Sequence, residues 1–150
     1  MRRLKIFMIV FAFAFTAVSG CASKEEKKMS SFKKGEAFFE KGEYKSAEIE
    51  FKNAIQLDPK FAAAYAKLGE TSLKLGDSKE ALLAYSMVVK LDPSNADAQL
   101  KLATFYFLAK KLTEAREKVD SVLKKNPKDI GAQFLLADIM AQEKNLGGAA

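Results

Sequence analysis

The chain has 150 residues, enough for one ordinary domain, and 49% of them are apolar, so a folded body can bury a core. It contains no histidine and a single cysteine, which excludes an internal disulfide, imidazole-dependent triads and histidine metal sites; no metal and no cofactor are expected. The formal charge is +6, but Arg2, Arg3 and Lys5 supply three of those charges and the remaining lysines are interleaved with acids, so nucleic acid is not an expected partner.

The N-terminus reads MRRLKIFMIVFAFAFTAVSGC. A basic start is followed by an apolar stretch from Ile6 to Val18, broken only by Thr16. A permanent membrane span needs roughly 20 apolar residues, so this stretch is short for a span and suited to the core of a secretory signal. Small residues, Ser19 and Gly20, stand before Cys21, where a peptidase needs an uncrowded backbone. Val-Ser-Gly-Cys resembles the lipobox of bacterial lipoproteins. That resemblance implies a signal peptide over 1–20 and a diacylglycerol on the thiol of Cys21, which becomes the first residue of the mature chain. Two or more acyl chains, at about 0.8 kcal/mol per buried methylene, make a stable anchor. Ala22, where inner-membrane lipoproteins often carry Asp, resembles the kind sorted to the outer membrane, facing the periplasm. Residues 21–27 are expected to be the lipidated cysteine and a short tether, with the charge runs KEEKK and SFKK solvated. A tether from Cys21 to about Ser30 would reach at most ~30 Å.

From residue 28 the sequence repeats with a period of 34, in blocks 28–61, 62–95 and 96–129 and a partial block 130–150. Pro59, Pro93 and Pro127 keep that step, as do Gly35, Gly69, Ala103 and Ala137, and also Ala47, Ala81, Ala115 and Ala149. Each complete block holds two helical stretches of about 13 residues, separated by a break such as KGEY or LGDS. The small residues let paired helices approach closely. Each proline lacks an amide donor and disfavours helix just before it, so it closes the second helix. Phe51, Tyr85 and Val119 share one expected core position, and Ala54, Val88 and Val122 another.

This pattern resembles the tetratricopeptide repeat, or TPR. The resemblance implies an all-α solenoid of antiparallel helix pairs, three complete repeats and a partial fourth, whose first helices line an inner wall that binds peptides. The wall positions so implied include Phe32, Glu36 and Phe39, then Glu70 and Leu73, then Leu100, Thr104 and Phe107, and finally Phe134 and Asp138. Some TPR cochaperones grip a terminal carboxylate with Lys and Asn from this wall. Here the central position is Glu36, Glu70, Thr104 or Asp138, with no Asn, so that clamp is not expected. An acidic and apolar wall suits an apolar or weakly basic segment such as an amphipathic helix. The competing reading is that the apolar groups are partly buried between neighbouring helices and bind nothing.

The last block stops where its second helix should begin, and AQFLLADIMA is apolar on nearly every side. Terminal repeats normally carry a polar outer face. The expectation is a longer solenoid, or coverage of this end by another chain, self-association included. No nucleophile with a matched base stands out, so catalysis is not expected. The chain reads as an interaction scaffold anchored in a bacterial envelope. A lipobox followed directly by KGEYKSAEIEFKNAIQLDPKFAAAYAKLG resembles the TPR lipoproteins accompanying exosortase-linked exopolysaccharide export, and is similar to the pilotin-type lipoproteins of type IV pilus assembly. Alternatives are the targeting module of a longer enzyme and a cytosolic adaptor.

Overall fold

Residues 23–147 are described by a computed structural model, and their regular structure is α-helical throughout. Helix α1 occupies 23–40, followed by α2 (Tyr44–Leu57), α3 (Ala62–Lys74), α4 (Ser78–Leu91), α5 (Ala96–Leu108), α6 (Leu112–Lys125) and α7 (Ile130–Gly147). The leader 1–20, Cys21 and Ala149 lie outside the described residues. None of the described helices is long and apolar enough to cross a membrane.

Local chemistry accounts for where the helices stop. The first helices α1, α3 and α5 end in the same double hydrogen bond. Glu43 donates to the Phe38 carbonyl and Gly42 to Phe39; Asp77 donates to Ser72 and Gly76 to Leu73; Lys111 donates to Tyr106 and Lys110 to Phe107. This arrangement puts the residue after the helix in the left-handed region. Gly42 and Gly76 take φ = 77° there without cost, but block three places Lys110 at φ = 62°. A side chain in that conformation costs about 1 kcal/mol or more. Lys110→Gly should therefore raise stability by about 1 kcal/mol, seen as a higher urea midpoint; an unchanged or lower midpoint would refute this.

The second helices stop by a different device. Asp58, Asp92 and Asn126 close α2, α4 and α6, and each side-chain oxygen accepts the backbone N–H two residues on, beyond the proline. Helix starts are capped by Asp77 on Glu80 N–H, Asn95 on Ala98 N–H and Asp129 on Ala132 N–H, each at 2.9 Å.

By packing, the chain divides into two units, Met1–Ala64 and Tyr65–Ala150. In the first, Phe51 is fully buried with Ala47 and Ala54, and the Phe32 ring lies 5.7 Å from Phe51 and 4.9 Å from Phe61, centroid to centroid. In the second, one core cluster holds Ala81, Tyr85, Val88, Ala98 and Leu102; another holds Ala103, Ala115, Val119, Val122, Ala132 and Ile139.

Three expectations need correcting. The stretch 23–27, read as tether, is already helical, and Lys28 is not solvated. Its ammonium meets Glu25 at 2.7 Å and Asp58 at 3.1 Å and sits 4.7 Å above the Phe61 ring. The hydrogen bonds that Lys28 donates to Glu25 and, less strongly, to Asp58 raise its pKa against the cost of burial, while the Lys60 N–H, followed by Lys28, holds the Asp58 carboxyl below its ordinary range. Ala137 is exposed, unlike Gly35, Gly69 and Ala103, because no second helix covers it among the described residues. The last block, read as apolar on nearly every side, does carry polar groups on its surface: α7 runs for 18 residues and turns Gln133, Asp138, Lys144 and Asn145 outward beside exposed Phe134 and Met140.

Candidate functional site

The wall positions come from the first helix of each block, one turn apart along the helix face. In the first unit, Phe32, Glu36 and Phe39 are half-buried. Phe32 is held by Phe51 and Phe61, and Phe39 meets the Tyr44 ring edge-on at 5.4 Å. Both phenylalanines therefore have packing to maintain, and Glu36 is the polar group between them along the helix.

In the second unit, α3, α5 and α7 supply the wall. Tyr65 and Ala66 of α3 pack on the cluster containing Ala98 and Leu102 of α5. At the α5–α7 junction, a Cβ on Gly131 would lie 3.5 Å from Leu100 Cδ1, an ordinary contact. Leu100 and Phe107 are half-buried against the core that α5, α6 and α7 share. Thr104 is exposed, and its hydroxyl donates to the Leu100 carbonyl, one turn back in its own helix. Glu70 receives the Lys67 ammonium at 2.9 Å, which offsets part of its charge. Asp138 is exposed. The apolar wall groups open to solvent are Leu73, at 41%, and Phe134, at 71%.

The ten wall positions thus sort into two kinds. Phe32, Leu100 and Phe107 pack against the apolar interiors of their units, and Phe39 is half-buried against Tyr44. Leu73, Phe134, Thr104 and Asp138 are exposed and Glu70 is half-buried in the second unit, with Glu36 half-buried in the first. Behind the wall, the Tyr85 hydroxyl is buried with no hydrogen-bond partner among the described residues. Burial pushes its pKa up, and the carboxylates of Glu70 and Asp97 add to the rise. Sequence reasoning placed Tyr85 in the core but gave no sign of this unpaired oxygen. Among the described residues, no group of three His, Cys, Asp or Glu side chains could hold a metal ion.

Helix pairs of 34-residue period, ended by a left-handed residue and then by a proline turn, define a helical-repeat protein. Family models described as "TPR repeat" and "Tetratricopeptide repeat" match residues 35–76 and 67–130, so residues 35–130 are tetratricopeptide repeats and the fold is the all-α TPR solenoid. None of the curated proteins compared matches the chain. Among solved structures, the first TPR of Spaghetti (RPAP3), bound to the HSP90 peptide SRMEEVD, is 22% identical with a TM-score of 0.71, over 79% of this chain and 94% of that one. The second TPR domain of human RPAP3, in complex with the HSP70 peptide SGPTIEEVD, is 26% identical with a TM-score of 0.69, over 78% and 98%. The Arabidopsis OM64 TPR domain is 19% identical with a TM-score of 0.70, over 79% and 98%.

Proposed function

We propose that this chain is a lipid-anchored TPR scaffold of a bacterial envelope, held through Cys21 in the outer membrane facing the periplasm, that captures a basic amphipathic helix for assembly or export. The exosortase-linked exopolysaccharide systems are the favoured setting, on the strength of the lipobox lying next to the repeats. The observation that carries the recognition reading is the pairing of open apolar side chains, Leu73 and Phe134, with carboxylates at the central wall position, Glu70 and Asp138. The similar RPAP3 domains were solved with peptides ending in EEVD, which carry several negative charges. Carboxylates at Glu70 and Asp138 of the second unit would repel such a peptide, and no Asn stands on the wall to hold its terminus. A cationic helix with an apolar stripe meets both kinds of group favourably.

Two measurements test this. In a binding titration, a basic amphipathic peptide should bind about tenfold tighter than SGPTIEEVD, and the double variant Leu73→Ser, Phe134→Ser should weaken its binding about tenfold while helix content stays normal. Equal or tighter binding of the acidic peptide would end the wall reading. Separately, Cys21→Ser in the bacterial host should release the protein from the membrane fraction and leave a mass without acyl chains. Unchanged fractionation would remove the anchor.

A further inference from the structure

Block two departs from its neighbours at one buried position. Phe51, Tyr85 and Val119 are equivalent by the 34-residue step and all three are buried, yet only Tyr85 brings a hydroxyl. Tyr85 is 1% exposed, and its oxygen has no hydrogen-bond partner among the described residues. A desolvated hydroxyl with nothing to bond destabilises a fold, and a phenylalanine, as at position 51, would fill the same space without it. Packing alone does not account for Tyr85.

The oxygen-bearing end of the ring is directed at the wall. Ring carbons Cε2, Cζ and Cε1 would lie 2.9, 2.9 and 3.1 Å from a Cβ on Gly69, so the missing side chain on α3 is what admits the ring there. The same ring shares a buried cluster with Ala98 and Leu102 of α5. The residue after Gly69 is Glu70, and the residue before Ala98 is Asp97. Asp97 stands three residues before Leu100 and seven before Thr104, so it shares their helix face, and it is exposed. Burial raises the phenol's pKa, and the Glu70 and Asp97 carboxylates raise it further, as negative charges close to the ring do. Glu70 already accepts an ammonium, that of Lys67, through its Oε2 at 2.9 Å.

We infer that Glu70, Asp97 and the Tyr85 oxygen form a seat for one lysine or arginine side chain of the bound helix. The two carboxylates match its charge, and the phenol oxygen accepts one of its N–H groups. An ammonium has three donors and a guanidinium five, so either can serve three acceptors. The Tyr85 oxygen is covered in the free chain, so the cation enters as the side chains above it turn aside; Glu70, with 37% of its side chain exposed, has space to do so. The inference rests on the basic-helix reading given above and adds which residues read the cation.

The probe is a fluorescein-labelled leucine–lysine amphipathic peptide titrated against the whole chain by anisotropy. Tyr85→Phe should weaken binding about fivefold while raising the urea midpoint, because it deletes a desolvated hydroxyl. Asp97→Asn should weaken binding about tenfold with helix content unchanged by circular dichroism. In the Asp97→Asn chain, Tyr85→Phe should cost less than it does alone, as expected of two groups that hold one cation. Glu117→Gln, an exposed acid of α6, controls for net charge and should change nothing. Binding unaltered by Tyr85→Phe, or an Asp97→Asn effect no larger than that of Glu117→Gln, would remove the seat and leave the basic-helix reading standing. A lower urea midpoint in Tyr85→Phe would show that the hydroxyl already has a partner, and would also overturn the seat. If the peptide does not bind the unaltered chain, both proposals fall.

Discussion

Gly35→Ala should destabilise the first helix pair by about 3 kcal/mol, at the upper end of the usual cost of overpacking. The added methyl would stand 2.6 and 2.7 Å from two carbons of the Phe51 ring, well inside contact distance. The ring cannot step aside easily. It is fully buried, and the tilted Phe32 ring, itself 4.9 Å from Phe61, lies against it at 5.7 Å. The helices must separate or the ring must leave its rotamer. Block three shows the compatible alternative, Ala103 with Val119. Phe51→Val alone will also destabilise, because it leaves a cavity beside Gly35. The double variant should lose less than the sum of the two by 1 kcal/mol or more, read from a chemical-denaturation cycle. Strict additivity would show that the two side chains do not compete for one space.

Ile139→Ala should cost about 3 kcal/mol, within the range for deleting a fully buried Ile side chain. Ile139 is 0% exposed and joins Ala132 in the core shared with α5 and α6. In a repeat protein each element leans mainly on its neighbours, so damage at an end need not spread. α7 should therefore lose amide-exchange protection while α4 and α5 retain theirs. The bidentate contact of Arg116 with Glu143, at 2.6 and 3.3 Å, will not hold α7 in place, since both side chains are more than a third exposed and such pairs contribute little. Uniform loss of protection across the chain would mean that α7 is not a separate cooperative unit.

Much of this molecule is legible in its residues because a repeat tests each position several times. Glycine, alanine and proline recurring at a step of 34 specify helix pairs without reference to any fold. Gly35 and Gly69 then prove to be where a ring of the second helix occupies the space a Cβ would need. The caps were also present in the letters but carried less signal. Asp58, Asp92 and Asn126 precede the prolines at the same step, and their side-chain turns account for the helix ends more directly than the prolines alone.

The wall was legible only in outline. Helical phase correctly separates the face toward the second helix from the face bearing Leu73 and Phe134. Phase cannot say that Phe32 spends its surface on Phe51 and Phe61, or that Phe107 belongs to the α5–α6–α7 core, because those neighbours stand on other elements of the chain. Lys28 was misread for the same reason. Its run of charges looks solvated until Asp58 and Phe61 approach across 30 residues of sequence.

The residues alone determined the helix pairing, the block length and the small-to-large matching inside each pair, because these follow from local periodicity and side-chain volume. Tertiary packing decided which apolar groups remain open, which charges are shielded and which helix face is uncovered. Exposure is a property of what arrives from elsewhere in the chain, and periodicity within one helix does not encode it.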